Sequence, residues 1–243
     1  MIISAIQYKA ESGNINANIT SHTKFIELAA GYNANLVFFP ELSLTGYGPR
    51  LGKSLAITAS DPVLNIFQEQ SDRWGIIVGI GLPLKAGENT EIGMVWFVPN
   101  KSPSTYSKQQ LHADELPFFV SGEKQFILES GDYRFAPAIC FESLQQSHAD
   151  HAVYMGANVY LASVAKSEKG LAKVRKHYPE IARKHNLFVI MANCLGPNDD
   201  FVSIGQSAIW ARSGELLAQM DSDSEGILIL DLESEKTTIY TVK

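Results

Sequence analysis

Leu36-Val37-Phe38-Phe39 is a run without one polar side chain, and it stops abruptly at Pro40-Glu41. Successive side chains of a strand point to opposite faces, so a strand wet on one side alternates apolar and polar residues. A run that is apolar throughout needs cover on both faces, as in a sheet with layers above and below it. Residues 76–84 and 92–98 repeat the pattern, and residues 187–194 repeat it but for Asn193. Between such runs the apolar spacing becomes helical. Residues 14–32 carry Ile15, Ile19, Phe25, Ile26, Leu28 and Ala29, with Asn14 or Asn16 as cap, and residues 171–185 carry Val174, Tyr178, Ile181 and Ala182. Asp61-Pro62, a capping residue followed by proline, opens a helix through about Trp74. A helix is also expected over 144–155. Strands are expected at 2–8, 104–108, 125–128, 133–139, 158–161, 203–210, 216–220 and 226–232, and loops at 109–122 and 162–170. This alternation predicts one α/β domain over residues 1–243.

Composition narrows the partners. A net charge of −6 argues against nucleic acid or an anionic membrane as a general partner. Cys140 and Cys194 both follow apolar runs and offer neither a disulfide framework nor zinc spacing, which suits a reducing compartment. The opening Met1-Ile2-Ile3-Ser4-Ala5-Ile6-Gln7 lacks the basic flank and long apolar core of a signal peptide. No uninterrupted apolar run reaches membrane-spanning length. A soluble, cytoplasmic protein is expected.

Three expected strands end in a single reactive or charged side chain. Residues 36–39 end at Glu41, residues 104–107 at Lys108, and Phe135-Ala136-Pro137-Ala138-Ile139 at Cys140. In layered α/β folds the ends of buried strands carry the sites. A cysteine at such an end can sit on a sharp turn, with the next backbone N–H free to face developing negative charge. The chemistry of the trio is coherent. A free thiol is mostly protonated at neutral pH, so a nearby carboxylate takes its proton during attack. A lysine ammonium beside the attacked carbon stabilises the oxyanion, together with the Phe141 N–H. Glu115, within the irregular stretch after Lys108, is a candidate for orienting the lysine or substrate, or for a second acid/base.

The order and setting of these residues resemble the nitrilase superfamily of carbon–nitrogen hydrolases. The resemblance rests on Phe38-Phe39-Pro40-Glu41-Leu42 with Thr45-Gly46-Tyr47, on Tyr106-Ser107-Lys108-Gln109-Gln110-Leu111 with Glu115, and on Ala138-Ile139-Cys140-Phe141-Glu142. It extends through Gly156-Ala157-Asn158, Gly205-Gln206-Ser207, Arg212-Ser213-Gly214-Glu215 and Glu225-Gly226. It implies a four-layer αββα sandwich of two mixed sheets, a thioester acyl-enzyme hydrolysed by water, and homodimers or larger assemblies. It also implies Glu41 as general base, Lys108 as oxyanion stabiliser, Cys140 as nucleophile and Glu115 as a second glutamate. Phe141, Tyr47, Glu142 and Ser163 become candidates for oxyanion or substrate contacts. The expected substrate is a small aliphatic or ω-type amide, and the chemistry requires no metal or organic cofactor.

Departures keep alternatives open. Many amidases of the superfamily carry aspartate and arginine soon after the cysteine, whereas this chain has Phe141-Glu142-Ser143. That pattern is closer to branches acting on nitriles or transferring acyl groups. Ala162-Ser163 stands where Pro-Ser is usual, and the loop beyond lacks a tryptophan-rich segment. A non-catalytic relative that binds small molecules is the rival of another class, opposed by the four polar positions kept at strand ends. His148, Asp150 and His151 suggest two metal ligands on one helix face, but a solvated face is the favoured reading. A Cys140–His148 dyad is excluded, because eight helical residues separate the two by roughly 12 Å. Cys194, Trp74, Trp96 and Trp210 are read as packing.

Overall fold

The computed structural model describes residues 1–242. Its first half runs β1 (Ile2–Gln7), α1 (Ile15–Gly31), β2 (Leu36–Phe38), α2 (Gly52–Leu55), α3 (Asn65–Trp74), β3 (Ile77–Ala86), β4 (Asn89–Phe97) and β5 (Ser104–Ser107). The second half runs β6 (Leu128–Ser130), β7 (Tyr133–Ile139), α4 (Gln146–Tyr154), β8 (Val159–Val164), α5 (Glu168–His185) and β9 (Phe188–Asn193). Six short strands follow: β10 (Leu195–Pro197), β11 (Val202–Ile204), β12 (Ala208–Trp210), β13 (Leu216–Gln219), β14 (Glu225–Asp231) and β15 (Thr237–Val242).

Two mixed sheets form, ordered β15-β14-β1-β2-β3-β4-β5 and β13-β12-β9-β8-β7-β6, with β10 and β11 as a separate ribbon. The centre of each is parallel: β1 with β2 and β2 with β3 in one, β7 with β8 and β8 with β9 in the other. The apolar runs explain the layering. Leu36 and Phe38 face the second sheet, in one core with Phe135, Leu161, Phe188 and Ile190. Val37 and Phe39 face outward against Phe25 and Ile26 of α1 and Phe67 of α3. On the far side Ala149 and Ala152 of α4 and Leu171, Val174 and Tyr178 of α5 cover Ala136, Ala138 and Val189. The result is the αββα sandwich that the resemblance implies. Both faces of each central strand are buried, so alternation disappears from their sequence.

Local signals explain the helix ends. Asn14 accepts from the Ala17 N–H (3.2 Å) to cap α1. Asp61 accepts from the Val63 N–H (3.0 Å) ahead of a 3-10 turn, Pro62–Leu64, that leads into α3. Gly75, at φ +64°, ends α3 in the left-handed conformation.

Three expectations are corrected, and one strand lies outside them. The strand expected at 125–128 lies at Leu128–Ser130, because Leu128 pairs with Phe135 and Ser130 with Tyr133 across a tighter turn. The loop expected over 162–170 shrinks to 165–167: Ala162–Val164 complete β8 by pairing with Met191, Ala192 and Asn193, and α5 starts at Glu168. Residues 203–210 split into two strands, since Gly205 and Gln206 both take positive φ. β15 was not expected; it pairs antiparallel with β14 along six residue pairs, as an edge strand that is largely exposed. No helix among the described residues is long and apolar enough to cross a membrane.

Candidate active site

Cys140 caps β7 on a backbone bend with φ +46°, a left-handed conformation that costs a non-glycine residue roughly 1–2 kcal/mol. Its N–H donates to Ser163 O (3.0 Å), while its carbonyl accepts from the Ser143 hydroxyl (2.6 Å) in the 3-10 turn that follows. The thiol lies 3.5 Å from Ala165 O. A second bend of this kind follows Glu41, where Leu42 takes φ +50°. Asparagine adopts such angles readily, as at Asn33, Asn100 and Asn186; a buried leucine and a cysteine do not. The Glu41 bend presses on β3. A Cβ at Gly81 would stand 2.5 Å from Pro40 O and 2.8 Å from Leu42 N, so only glycine fits beneath it.

Lys108 follows β5 and is fully buried, as is Glu41. The Lys108 ammonium donates to Glu41 Oε1 and to Glu115 Oε1, both at 2.6 Å. The two glutamates differ in what remains free. Glu115 Oε1 also accepts from the Tyr47 hydroxyl (3.1 Å), and its Oε2 accepts from the His112 N–H (2.7 Å). Glu41 Oε2 is buried with no hydrogen-bond partner. An unpaired carboxylate oxygen in the interior is costly. It is also the acceptor a thiol proton needs.

Electrostatics follow the geometry. Burial pushes Glu41 up to about 7, against the opposing pull of the Lys108 charge. Burial alone would lower Lys108, but the charges of Glu41 and Glu115 outweigh it and hold the ammonium firmly protonated. Burial, then the Glu41 charge, pushes the Cys140 thiol up to about 11, against Lys166 and Lys108. The resting pair is therefore a neutral thiol beside a carboxylate whose proton affinity is matched to neutral pH.

Residues 2–240 match the carbon–nitrogen hydrolase family. The chain belongs to that family. Its fold is that of the NitN amidase from Nesterenkonia sp. AN1, with a TM-score of 0.86 at 22% identity over 97% of this chain and 94% of the amidase. A cysteine-to-alanine variant of that amidase in complex with butyramide matches equally well, with a TM-score of 0.86 and 22% identity over 97% of this chain and 92% of that one. Curated relatives are glutamine-dependent NAD(+) synthetases. The one from Acinetobacter baylyi is 22% identical over 96% of this chain and 44% of the relative. The one from Thermotoga maritima is 22% identical over 96% of this chain and 42% of the relative. The chain thus spans less than half the length of these relatives.

In this member of the family a cavity of about 820 Å³ opens over Cys140, with Tyr47, Glu115 and Phe141 on its wall. Glu142 and Ser163 lie behind the turn, outside that wall. Ser163 donates to Phe39 O (2.8 Å) and ties the end of β8 to the end of β2. Glu142 accepts from the Ile139 N–H (2.7 Å), the Gln109 N–H (2.7 Å) and the Tyr106 hydroxyl (2.6 Å). It thereby joins the backbone before Cys140 to the backbone after Lys108. The favoured reading of His148 as part of a solvated face is corrected: it is buried between the hydroxyls of Tyr106 (2.8 Å) and Tyr160 (2.7 Å). Burial lowers it to about 4. Asp150 is exposed and pairs with Lys184 (2.7 Å), and no cluster of three metal-ligating side chains forms among the described residues.

Sequence reasoning missed Lys166. Its Nζ stands 3.2 Å from Cys140 O and 3.7 Å from Cys140 Sγ. Asn193 fixes its backbone from both sides, accepting from Lys166 N (2.8 Å) and donating to Lys166 O (3.2 Å). The available signal was a third charge two residues beyond an apolar run, hidden because Ala162-Ser163 reads as loop.

Proposed function

We propose that this hydrolase cleaves the carbon–nitrogen bond of a small amide through a Cys140 thioester, releasing ammonia or an amine. The observation that carries the reading is the division of labour around Lys108: Glu41 keeps a free buried oxygen beside the thiol, and Glu115 keeps none. Glu41 takes the Cys140 proton as Sγ attacks the carbonyl carbon. The Lys108 ammonium and the Phe141 N–H receive the charge that develops on oxygen, each such donor being worth roughly 3–4 kcal/mol. Glu41 returns the proton to the leaving nitrogen, the carbon–nitrogen bond breaks, and the thioester remains. Water then attacks the thioester, giving its proton to Glu41. The carbon–sulfur bond breaks, the carboxylic acid leaves, and Cys140 regains a proton. Glu115, saturated by Lys108, Tyr47 and His112, positions the lysine rather than moving protons.

The alternative is nitrile hydrolysis or acyl transfer by the same residues, suggested by the resemblance of Cys140-Phe141-Glu142 to branches with those activities. The Glu142 carboxylate itself is engaged by backbone donors and is not part of the cavity wall. The test is ammonia release from a panel of amides, carbamoyl compounds and nitriles, with Cys140→Ala as the blank. Release from amides that vanishes in the variant is the expected result. Release from nitriles alone would overturn the amide reading, and a Cys140 inert to both substrates and iodoacetamide would favour a binding protein.

A further inference from the structure

Two buried lysines stand near Cys140, and they are held differently. Lys108 divides its charge between Glu41 and Glu115. Lys166 is only 5% exposed, yet among the described residues it makes no ion pair. Its ammonium instead meets one residue twice, at Cys140 O (3.2 Å) and at Cys140 Sγ (3.7 Å). Keeping a charge in the interior without a counter-charge is costly. The position is nonetheless built. Asn193, which brackets the Lys166 backbone, is itself anchored: its side chain donates to Gly205 O (2.6 Å) and its N–H to Ser207 Oγ (2.9 Å). Gly170 of α5 leaves room for the lysine stem, since a Cβ there would stand 3.1 Å from Lys166 Cβ and 3.4 Å from its Cγ. The left-handed bend at Cys140 brings the carbonyl and the sulfur within reach of the same ammonium. Burial and then the Glu41 charge raise the proton affinity of the thiol; of the two cations that oppose them, Lys166 acts more strongly than Lys108.

Resting on the Cys140 hydrolase reading above, we infer that Lys166 is a further catalytic residue, which holds negative charge on the Cys140 sulfur when the thiol gives up its proton and again when the carbon–sulfur bond breaks. The two lysines then serve the two atoms that gain charge: Lys108 the substrate oxygen, Lys166 the sulfur. In the first half of the reaction Glu41 takes the Sγ proton, and the sulfur lone pair that forms the new carbon–sulfur bond starts beside Lys166. In the second half water has added to the thioester and Glu41 holds its proton. The carbonyl re-forms, the carbon–sulfur pair passes to sulfur, and the Lys166 ammonium donates a hydrogen bond to the thiolate while keeping all its protons. Glu41 then returns its proton to sulfur and the thiol is restored. A preorganised cation needs no rearrangement at either moment.

Two probes read the sulfur directly. Iodoacetamide reports how readily the thiolate forms, and p-nitrophenyl acetate acylates Cys140 so that peptide mass can follow the loss of the acetyl thioester. Both are applied to the native chain and to Lys166→Met, Lys166→Gln and Lys166→Arg, with Lys173→Met removing an exposed charge from the same cavity wall. A cation this close raises the thiolate fraction by roughly ten- to a thousandfold, and the greater nucleophilicity of a more basic sulfur gives part of that back. Lys166→Met should therefore slow alkylation by about tenfold and prolong the acetyl thioester. Lys166→Gln keeps a donor for the Cys140 carbonyl but no charge, and should be as slow. Lys166→Arg should recover part of the rate, and Lys173→Met should change little, since water screens its charge. Native rates in both assays for Lys166→Met would overturn the inference and leave the hydrolase reading intact. So would a native rate in Lys166→Gln beside a slow Lys166→Met, which would make the lysine a brace for the carbonyl. If Lys166→Met does not fold, Lys166→Gln and Lys166→Arg decide the matter, and equal rates in the two overturn the inference. A native Cys140 inert to both reagents would overturn the hydrolase reading and this inference together.

Discussion

Glu41 and Glu142 are both fully buried, both lie beside the Cys140 turn, and burial lifts both to about 7. Their surroundings differ. Glu142 is filled: Tyr106, Ile139 and Gln109 donate to it, with Gln110 at 3.3 Å. Glu41 is half filled, with one oxygen on Lys108 and the other without a partner. A raised pKa therefore does not separate a proton carrier from a brace; the free lone pairs do. One cluster keeps an unsatisfied acceptor, which the proposed mechanism uses for a proton in transit. The other uses every acceptor to hold two catalytic turns in register.

The sharpest way to break that comparison is to make the same substitution in both clusters. Glu41→Gln keeps an acceptor for Lys108 but cannot take a proton. Its kcat/KM should fall by about 10³-fold, within the usual range for a general base, with little change in the denaturation midpoint. Near-normal turnover in this variant would sink the base assignment. Glu142→Gln should do the reverse. Its new NH₂ faces backbone donors, so stability should drop by about 2 kcal/mol while kcat/KM changes less than about tenfold. Urea unfolding alongside steady-state kinetics reads both, and a rate loss in Glu142→Gln as deep as in Glu41→Gln would erase the distinction.

pH sharpens the same contrast. As the proposed base, Glu41 must be the carboxylate, so activity should rise with pH through about 7. The thiol, pushed up to about 11, stays neutral over that range and adds no second limb. Both glutamates leave a stability signature, and Glu142 is the one whose share can be removed without removing the proposed base. Its folded pKa exceeds the ordinary value of 4.5, so the folded protein holds an extra proton between 4.5 and about 7. Stability therefore falls as pH rises through that window, and Glu142→Gln should flatten the slope. An unchanged slope in the variant would place the titration elsewhere.

Much of this was legible in the sequence. Glu41, Lys108 and Cys140 stand out because an isolated charge or thiol ends an expected strand, and the structure brings all three to one point. The layering was legible too, since Val37 and Phe39 leave no polar face on β2. What escaped depended on distant partners. Glu142 is defined by Tyr106 and Gln109, more than thirty residues away. His148 reads as surface until Tyr106 and Tyr160 close around it. Lys166 escaped because small residues end β8 without a sharp break, and β15 because its largely exposed residues carry no buried face to read.

The smallest expected effect comes from an ion pair of matching geometry in a different medium. Lys184 and Asp150 meet at 2.7 Å, Lys108 and Glu41 at 2.6 Å. Distance alone would rank them equal. Both members of the first pair are about half exposed, however, and water and salt screen what burial leaves bare. Asp150→Asn should change stability by no more than about 0.5 kcal/mol, even though His185 also loses a partner at 2.8 Å. Urea midpoints in low and high salt would measure it. A loss near 2 kcal/mol that persists in high salt would mean that exposure does not separate the two pairs, and that the strength of the Lys108 cluster comes from its contacts rather than from exclusion of water.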